Sequence, residues 1–302
     1  MARGIGVRYS EHGLRALLLE RSAGEAAITG VAAGPQTDDV AGFLTGHGFS
    51  VADTGIAVGL GPGDFLSCWI PREPGMDEHD MEDHLRWELG KKVATGDSAY
   101  AIRFAAAPGA GFLFAARKKL IEGIQPPGGG TYIVDVEPIA LYNGCEGMGE
   151  LGSEPTVLVS VEAEGISSVA VENGSPVAVD SFSASQEDWL ERLPCLDFIG
   201  GEIHDEKAAA QFVKYASGAV SRLISRQWKG NKLLLEHIIL AGGGVYMGDL
   251  ASMVSGKTGI VTTLSNPFAS ATVRVSTLGP RLSDLGSAFT TCFGLALRAL
   301  EG

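Results

Sequence analysis

Tyr132-Ile133-Val134-Asp135-Val136-Glu137-Pro138-Ile139-Ala140-Leu141 is the stretch on which the fold turns. Residues 132–136 read as a strand. Proline lacks an amide hydrogen and has a fixed φ, so Pro138 suits the first position of a helix continuing through Ile139–Gly144. Downstream, the Gly-rich, acidic segment Glu146–Pro155 is a natural hinge. Beyond it Val157–Val161, Ser167–Val171 and Val177–Asp180 predict three strands separated by turns. Far upstream the same plan occurs: residues 4–9 and 14–20 flank the polar turn Ser10-Glu11-His12-Gly13, and Ala26–Ala32 follows the turn at Gly24-Glu25. Leu14–Leu19 is apolar enough to be buried on both sides. A strand–turn–strand–turn–strand plan met twice predicts a duplicated α/β fold.

Between the two copies lies a unit of different rhythm. A first helix is expected from about Asp38 to Thr45. Ile56–Leu60 and Phe65–Ile70 read as a hairpin around Gly61-Pro62-Gly63-Asp64. Pro71 ends its second strand, and Asp77 can cap a helix to about Lys92 in which Met81, Leu85 and Leu89 form one apolar stripe. Acidic residues at its start and Lys91 and Lys92 at its end suit the helix dipole. Strands 100–106 and 111–116 and a short helix 118–124 complete a strand–helix–strand–strand insert. Past the second copy, a long amphipathic helix is expected over about His204–Trp228, then a strand His237–Leu240 running into Ala241-Gly242-Gly243-Gly244 and a helix from near Gly248. The final helix, capped by Ser283 and ending near Leu300, is apolar on almost every side and is expected to be buried, crossing between the lobes. The expected organisation is lobe 1 in 1–55 and 128–152, the insert in 56–127, lobe 2 in 153–282 and the crossing helix in 283–302.

The 302 residues are 45% hydrophobic and 20% charged, with a net charge of −13 and a pI near 4.9. A chain this long exceeds what one core usually organises, so two lobes are expected. Its negative field disfavours nucleic acid and anionic lipid. Cys68, Cys145, Cys195 and Cys292 lie far apart, without a CxxC pair or a histidine at ligand spacing, so reduced thiols are expected rather than disulfides or zinc. No signal-peptide pattern and no run of about 20 apolar residues is visible, so a cytoplasmic protein without membrane insertion is expected.

Three stretches resemble the type IV pilus assembly protein PilM family. Cys68-Trp69-Ile70-Pro71 followed by Met81-Glu82-Asp83-His84-Leu85-Arg86-Trp87-Glu88 is similar to the family's strand, proline and acidic helix in an inserted subdomain. Residues 132–141 resemble its strand-to-helix crossing. Gly242-Gly243-Gly244 with Asn266-Pro267-Phe268 and Phe293-Gly294-Leu295-Ala296-Leu297-Arg298 resembles its carboxyl-terminal signature. The resemblance implies an actin-like (ribonuclease H-like, duplicated) two-lobed fold with an FtsA-like inserted subdomain of SHS2 type. It further implies a scaffold on the inner face of the inner membrane that binds the short cytoplasmic tail of a PilN-like membrane protein. Contact with pilus motor ATPases, homodimerisation and a role in the related type II secretion system, whose GspL protein has a region of this fold, stay open.

Actin-like ATPases hold ATP between two phosphate-binding hairpins and a glycine turn beside the adenosine, because backbone N–H groups must approach the phosphates closely. Ser10, Gly13, Gly242, Gly243 and Gly244 are the candidate cleft residues. Where the family has an Asp-Ile-Gly-Ser-like run, this chain reads Arg8-Tyr9-Ser10-Glu11, so an arginine replaces the metal-side carboxylate. In the second hairpin Ser160-Val161-Glu162 and Glu164 replace Asp-x-Gly, and Gly165 is expected to fall too late for the tight position. The Gly-Gly-Asp run and the Glu-x-x-Lys helix are missing, Gly200-Gly201-Glu202 being a late substitute. A degenerate site needing no cofactor is expected, with weak ATP and magnesium binding left open through Arg8. The alternatives are an active ATPase whose lobe closure regulates pilus assembly, and a sugar- or acetate-kinase-like enzyme, for which no catalytic carboxylate is evident.

The expected tail-binding wall is Phe65, Leu66, Cys68, Trp69 and Ile70, with the tail docking between the main lobe and the insert. His79 and His84 among acids at i, i+5 spacing read as a solvated face rather than a metal site. Arg222, Arg226 and Lys229 read as a solvated helix end, with docking of an acidic partner as the alternative. Trp69 and Trp87 are expected to pack in the core, with a peptide groove as the alternative. No nucleophile–base pattern supports a hydrolase.

Overall fold

The computed structural model describes residues 2–10, 13–35, 37, 39–73, 75–93, 99–124, 132–162, 164–183, 206–228, 234–243, 246–275 and 285–301. Strands β1 (Ala2–Ser10), β2 (Gly13–Ser22) and β3 (Glu25–Gly34) form an antiparallel meander. Helix α1 (Val40–Gly46) follows, its Asp39 cap accepting from the Gly42 amide. Strand β4 (Gly55–Leu60) then lies parallel to β1.

The chain next leaves this sheet. Strand β5 (Phe65–Pro71), helix α2 (Glu78–Lys92), strands β6 (Tyr100–Ala106) and β7 (Ala110–Arg117) and helix α3 (Lys118–Ile124) build a separate three-stranded sheet of order β5-β7-β6. It returns as β8 (Tyr132–Val136), parallel to β4, and runs directly into α4 (Glu137–Gly147) with Pro138 in the first turn. The Ile56–Leu60/Phe65–Ile70 hairpin is therefore corrected. The Gly-Pro-Gly-Asp turn joins two sheets, and β4 pairs with distant partners on both edges rather than with β5.

The second copy repeats the first. Strands β9 (Thr156–Glu162), β10 (Gly165–Glu172) and β11 (Ser175–Ser183) form a meander, and α5 (Glu206–Gln227) is the expected long helix. Next come β12 (His237–Gly242), α6 (Met247–Thr258) and β13 (Val261–Leu264). The order β11-β10-β9-β12-β13 matches β3-β2-β1-β4-β8 strand for strand, with β12 parallel to β9 and to β13. The connection β4 to β8 holds the inserted sheet, where β12 to β13 is bridged by α6. Phe212, Val213, Ala216, Val220, Leu223 and Ile224 of α5 pack on the second sheet, as their spacing predicts.

Helix α7 (Pro267–Ser270), the short β14 (Thr272–Val273) beside β3, a 3₁₀ turn (Gly286–Phe289) and α8 (Thr290–Glu301) complete the described chain. Buried along most of its length, α8 packs on β1, β2, β4 and α4, while α4 also touches β9, β10 and β11. These two helices thus sit between the halves. The capping role of Ser283 falls outside the described residues. Among the described residues no helix is long and apolar enough to cross a membrane.

The tryptophan expectation is also corrected. Trp87 is 62% and Trp69 37% exposed. The α2 stripe of Met81, Leu85 and Leu89 faces the sheet, so position 87 must face outward, where Lys91 Nζ lies 3.1 Å from the ring centroid. His79 and His84 stand on exposed α2 near Asp83 and Glu88, and among the described residues no group of side chains has a metal site's arrangement. Arg226 pairs with Asp180 of its own half; Lys229 lies outside the described residues.

Candidate functional site

The two hairpins meet in a cleft between the halves, and a separate groove lies under the inserted sheet. In the cleft, β1–β2 closes with Ser10 opposite Gly13, and β9–β10 closes with Glu162 opposite Gly165. Gly13 and Gly165 have φ of 146° and 145°, values that favour glycine. The expectation that Gly165 falls too late is corrected. Counted along the pairing register it holds the place that Gly13 holds, and Glu162 holds that of Ser10.

Gly242 ends β12 at φ 125°, and a β-carbon there would lie 2.0 Å from the Val161 carbonyl oxygen. Its carbonyl accepts from Ser287 Oγ at 3.0 Å. Close approach to β9 thus accounts for this glycine without any ligand. Gly243 is a buried bend, and Gly244 and the Gly200-Gly201-Glu202 segment lie outside the described residues.

Five charged side chains gather between the hairpins. Arg8 on β1, 2% exposed, has Nη2 2.9 Å from Glu164 and 3.5 Å from Glu137, and Nε 3.6 Å from Glu162. Arg15 on β2 reaches Glu162 at 2.6 Å and donates to the Ala288 carbonyl at 2.8 Å. Ser160 Oγ on β9 donates to Glu137 Oε1 at 2.5 Å. Burial opposes the Arg8 charge, but Glu162, Glu164 and Glu137 outweigh it and hold its pKa above the ordinary value. For Glu137 burial dominates over the pull of Arg8, and its carboxyl is pushed up. The sequence identifies Arg8, Glu162 and Glu164 as intruders in a phosphate site. It does not reveal Arg15 and Glu137, because they meet Glu162 and Arg8 over separations of 147 and 129 residues.

The groove encloses about 970 Å³ between the insert and the first half. One wall is β6 with Arg103, Phe104 and Ala105; the other is β8 with Ile133, Val134 and Asp135, and α4 and α8 close the floor. Both β6 and β8 are edge strands, so each presents unpaired backbone groups along its outer side. Burial pushes the Asp135 carboxyl up, opposed by a hydrogen bond from the Val136 amide and by the charge of Arg298.

The expected wall lies elsewhere on the insert. Phe65 packs toward the first half's core, its ring centroid 6.2 Å from that of Phe114. Leu66, Cys68 and Ile70 pack under α2, Trp69 is partly exposed, and none of the five lines the groove. Alternation along β5 fixes which residues face inward but cannot say that β5 packs against β11 of the second half while β6 faces β8 of the first.

Two matched five-stranded halves, with central helices between them and a sheet inserted in the first, define the actin-like ATPase fold. Over one segment the sequence is also similar to a particular family. The family model for the type IV pilus assembly protein PilM matches residues 227–300, the segment carrying Gly242–Gly244, Asn266-Pro267-Phe268 and Phe293–Arg298, and the expected resemblance to PilM is borne out. Among solved structures, the PilM-PilN type IV pilus biogenesis complex is similar over 99% of both chains, at 20% identity and a TM-score of 0.75. The cytoplasmic domain of EpsL, an inner-membrane component of the Vibrio cholerae type II secretion system, is similar over 100% of this chain and 96% of that one, at 9% identity and 0.52. A Bacteroides thetaiotaomicron protein with an actin-like ATPase fold covers 88% and 91%, at 12% and 0.51. No curated protein matches the chain.

Proposed function

We propose that this protein is a non-catalytic scaffold of a type IV pilus or related type II secretion platform. In this reading it lies in the cytoplasm and is recruited to the inner membrane by the short cytoplasmic tail of a PilN-like protein. The observation that carries the reading is the groove between edge strands β6 and β8. An extended tail laid there gains backbone hydrogen bonds by strand addition, while Phe104, Ala105 and Ile133 offer apolar contact and Arg103, Asp135 and Arg298 offer charge. The tail-binding wall is accordingly assigned to β6 and β8 rather than to Phe65–Ile70.

The cleft residues do not fit a magnesium-bound triphosphate. Arg8 and Arg15 are engaged by Glu137, Glu162 and Glu164. Glu162 and Glu164 flank the second turn, where each repels a phosphate by roughly 1–4 kcal/mol at 4 Å. No catalytic step is therefore assigned. Pull-down with synthetic PilN-like tails tests the scaffold reading. Capture is expected, and failure to capture any tail while a tail-binding homologue succeeds alongside would sink it.

A further inference from the structure

We infer that Arg8 and Arg15 form a built-in clamp that holds the two halves at a set separation without any ligand. Arg8, Arg15 and Glu137 belong to the first half, and Ser160, Glu162 and Glu164 to the second. Within this cluster four polar contacts cross between the halves: Arg8 to Glu164 at 2.9 Å, Arg8 to Glu162 at 3.6 Å, Arg15 to Glu162 at 2.6 Å and Ser160 to Glu137 at 2.5 Å. Only Arg8 to Glu137, at 3.5 Å, stays within one half, and it orients the first residue of α4.

Forked guanidinium groups suit this task, since each can meet more than one carboxylate in a fixed plane. Arg8, Glu137 and Glu162 are almost fully buried, with side-chain exposures of 2%, 2% and 3%. Separating the halves would break the pairs of Glu162 and Glu164 with the arginines and leave Arg8 with Glu137 alone, so opening exchanges these charge-assisted contacts for water. The pairing joins the two turns that face one another across the cleft. It therefore supplies, from side chains alone, a cross-cleft charge bridge. The inference rests on the reading that the cleft takes no nucleotide, and it is independent of what occupies the groove.

Hydrogen–deuterium exchange and small-angle scattering on the full chain test it. Glu164→Gln, at the partly exposed rim, removes one cross-cleft charge with little risk to folding; Arg15→Met removes a second contact, and Arg8→Lys keeps a charge without the fork. In Glu164→Gln and Arg15→Met, amides of β1–β2 and β9–β10 are expected to exchange about tenfold faster, with α5 and α6 unchanged. Arg8→Lys is expected to fall between these and the parent, and the parent's scattering profile is expected to stay the same with and without MgATP. Unchanged exchange at both hairpins in folded Glu164→Gln and Arg15→Met would overturn the clamp. If calorimetry in the same samples shows no ATP binding, that outcome leaves the nucleotide reading standing. A parent profile that contracts with MgATP would overturn the ligand-free clamp, and the nucleotide reading with it.

Discussion

Gly144 on α4 and Gly294 on α8 face each other where the two central helices cross. A β-carbon on Gly294 would lie 1.9 Å from the Ala140 carbonyl oxygen and 2.7 Å from the Gly144 nitrogen; one on Gly144 would lie 2.6 Å from the Thr290 carbonyl oxygen. The contact is backbone on backbone, so no side chain can move aside. Gly294→Ala is expected to destabilise the protein by about 1–3 kcal/mol through overpacking. Gly256→Ala, on α6 with open space around the added atom, is expected to be neutral or to stabilise by up to about 1 kcal/mol. Urea unfolding of the two variants checks both, and equal midpoints would show that the helices have room to part.

Arg8→Met removes one cation from among three carboxylates. Breaking one side of a buried charge cluster costs about 3–5 kcal/mol. The pH dependence follows from Glu137, whose carboxyl burial already pushes above its ordinary value of 4.5. A raised carboxyl binds its proton more tightly when folded. Its stabilising contribution is full below the unfolded value and is lost as pH rises through the folded one. Arg8 pulls that carboxyl down, so its loss raises it further. Unfolding free energy of Arg8→Met is expected to fall more steeply between about pH 5 and pH 8 than that of the parent. Parallel urea titrations at those two pH values measure the difference.

What was legible in the sequence is what local chemistry decides. The two meanders show in Leu14–Leu19 and Val157–Val161 because a strand buried on both faces is apolar at nearly every position, Arg15 and Ser160 being the exceptions. Asp77 and Pro138 mark helix starts because their roles depend on neighbours within a turn. The errors concern distant partners. Ile56–Leu60, Gly-Pro-Gly-Asp and Phe65–Ile70 carry every local sign of a hairpin, yet β4 pairs with residues 4–8 and 132–136. A large aromatic ring suggests burial for Trp87, although the 81–85–89 stripe already excludes it from the inner face. In the cleft, Glu162 and Glu164 are legible as obstacles to phosphate. That Arg8 and Arg15 neutralise them depends on bringing two halves of the chain together, which no local pattern encodes.

Weak or absent nucleotide binding is the second cleft prediction. Calorimetry with ATP and magnesium is expected to give a Kd weaker than about 10 μM, a binding free energy less favourable than about −7 kcal/mol. Tighter binding abolished by Gly243→Trp would instead support an active ATPase, because that substitution fills the buried bend after β12. The measurement bears on the cleft alone and is silent on the groove.

The groove assignment separates two edges of one small sheet, so its test compares them directly. Ala105 is an exposed residue of β6 on the groove wall, whereas Trp69 lies on β5, the opposite edge. Ala105→Glu places a carboxylate where an apolar tail would lie and leaves the sheet's core untouched. Its stability is expected to stay within about 0.5 kcal/mol of the parent, while affinity for a PilN-like tail peptide falls by at least about tenfold, or 1.4 kcal/mol. Trp69→Ala is expected to leave that affinity within about twofold, because a side chain outside the contact contributes little to binding. Fluorescence anisotropy with a labelled tail reads both variants in one titration. The reverse ranking, with Trp69→Ala the damaging change, would move the tail to β5 and restore the wall that Phe65–Ile70 suggests from sequence.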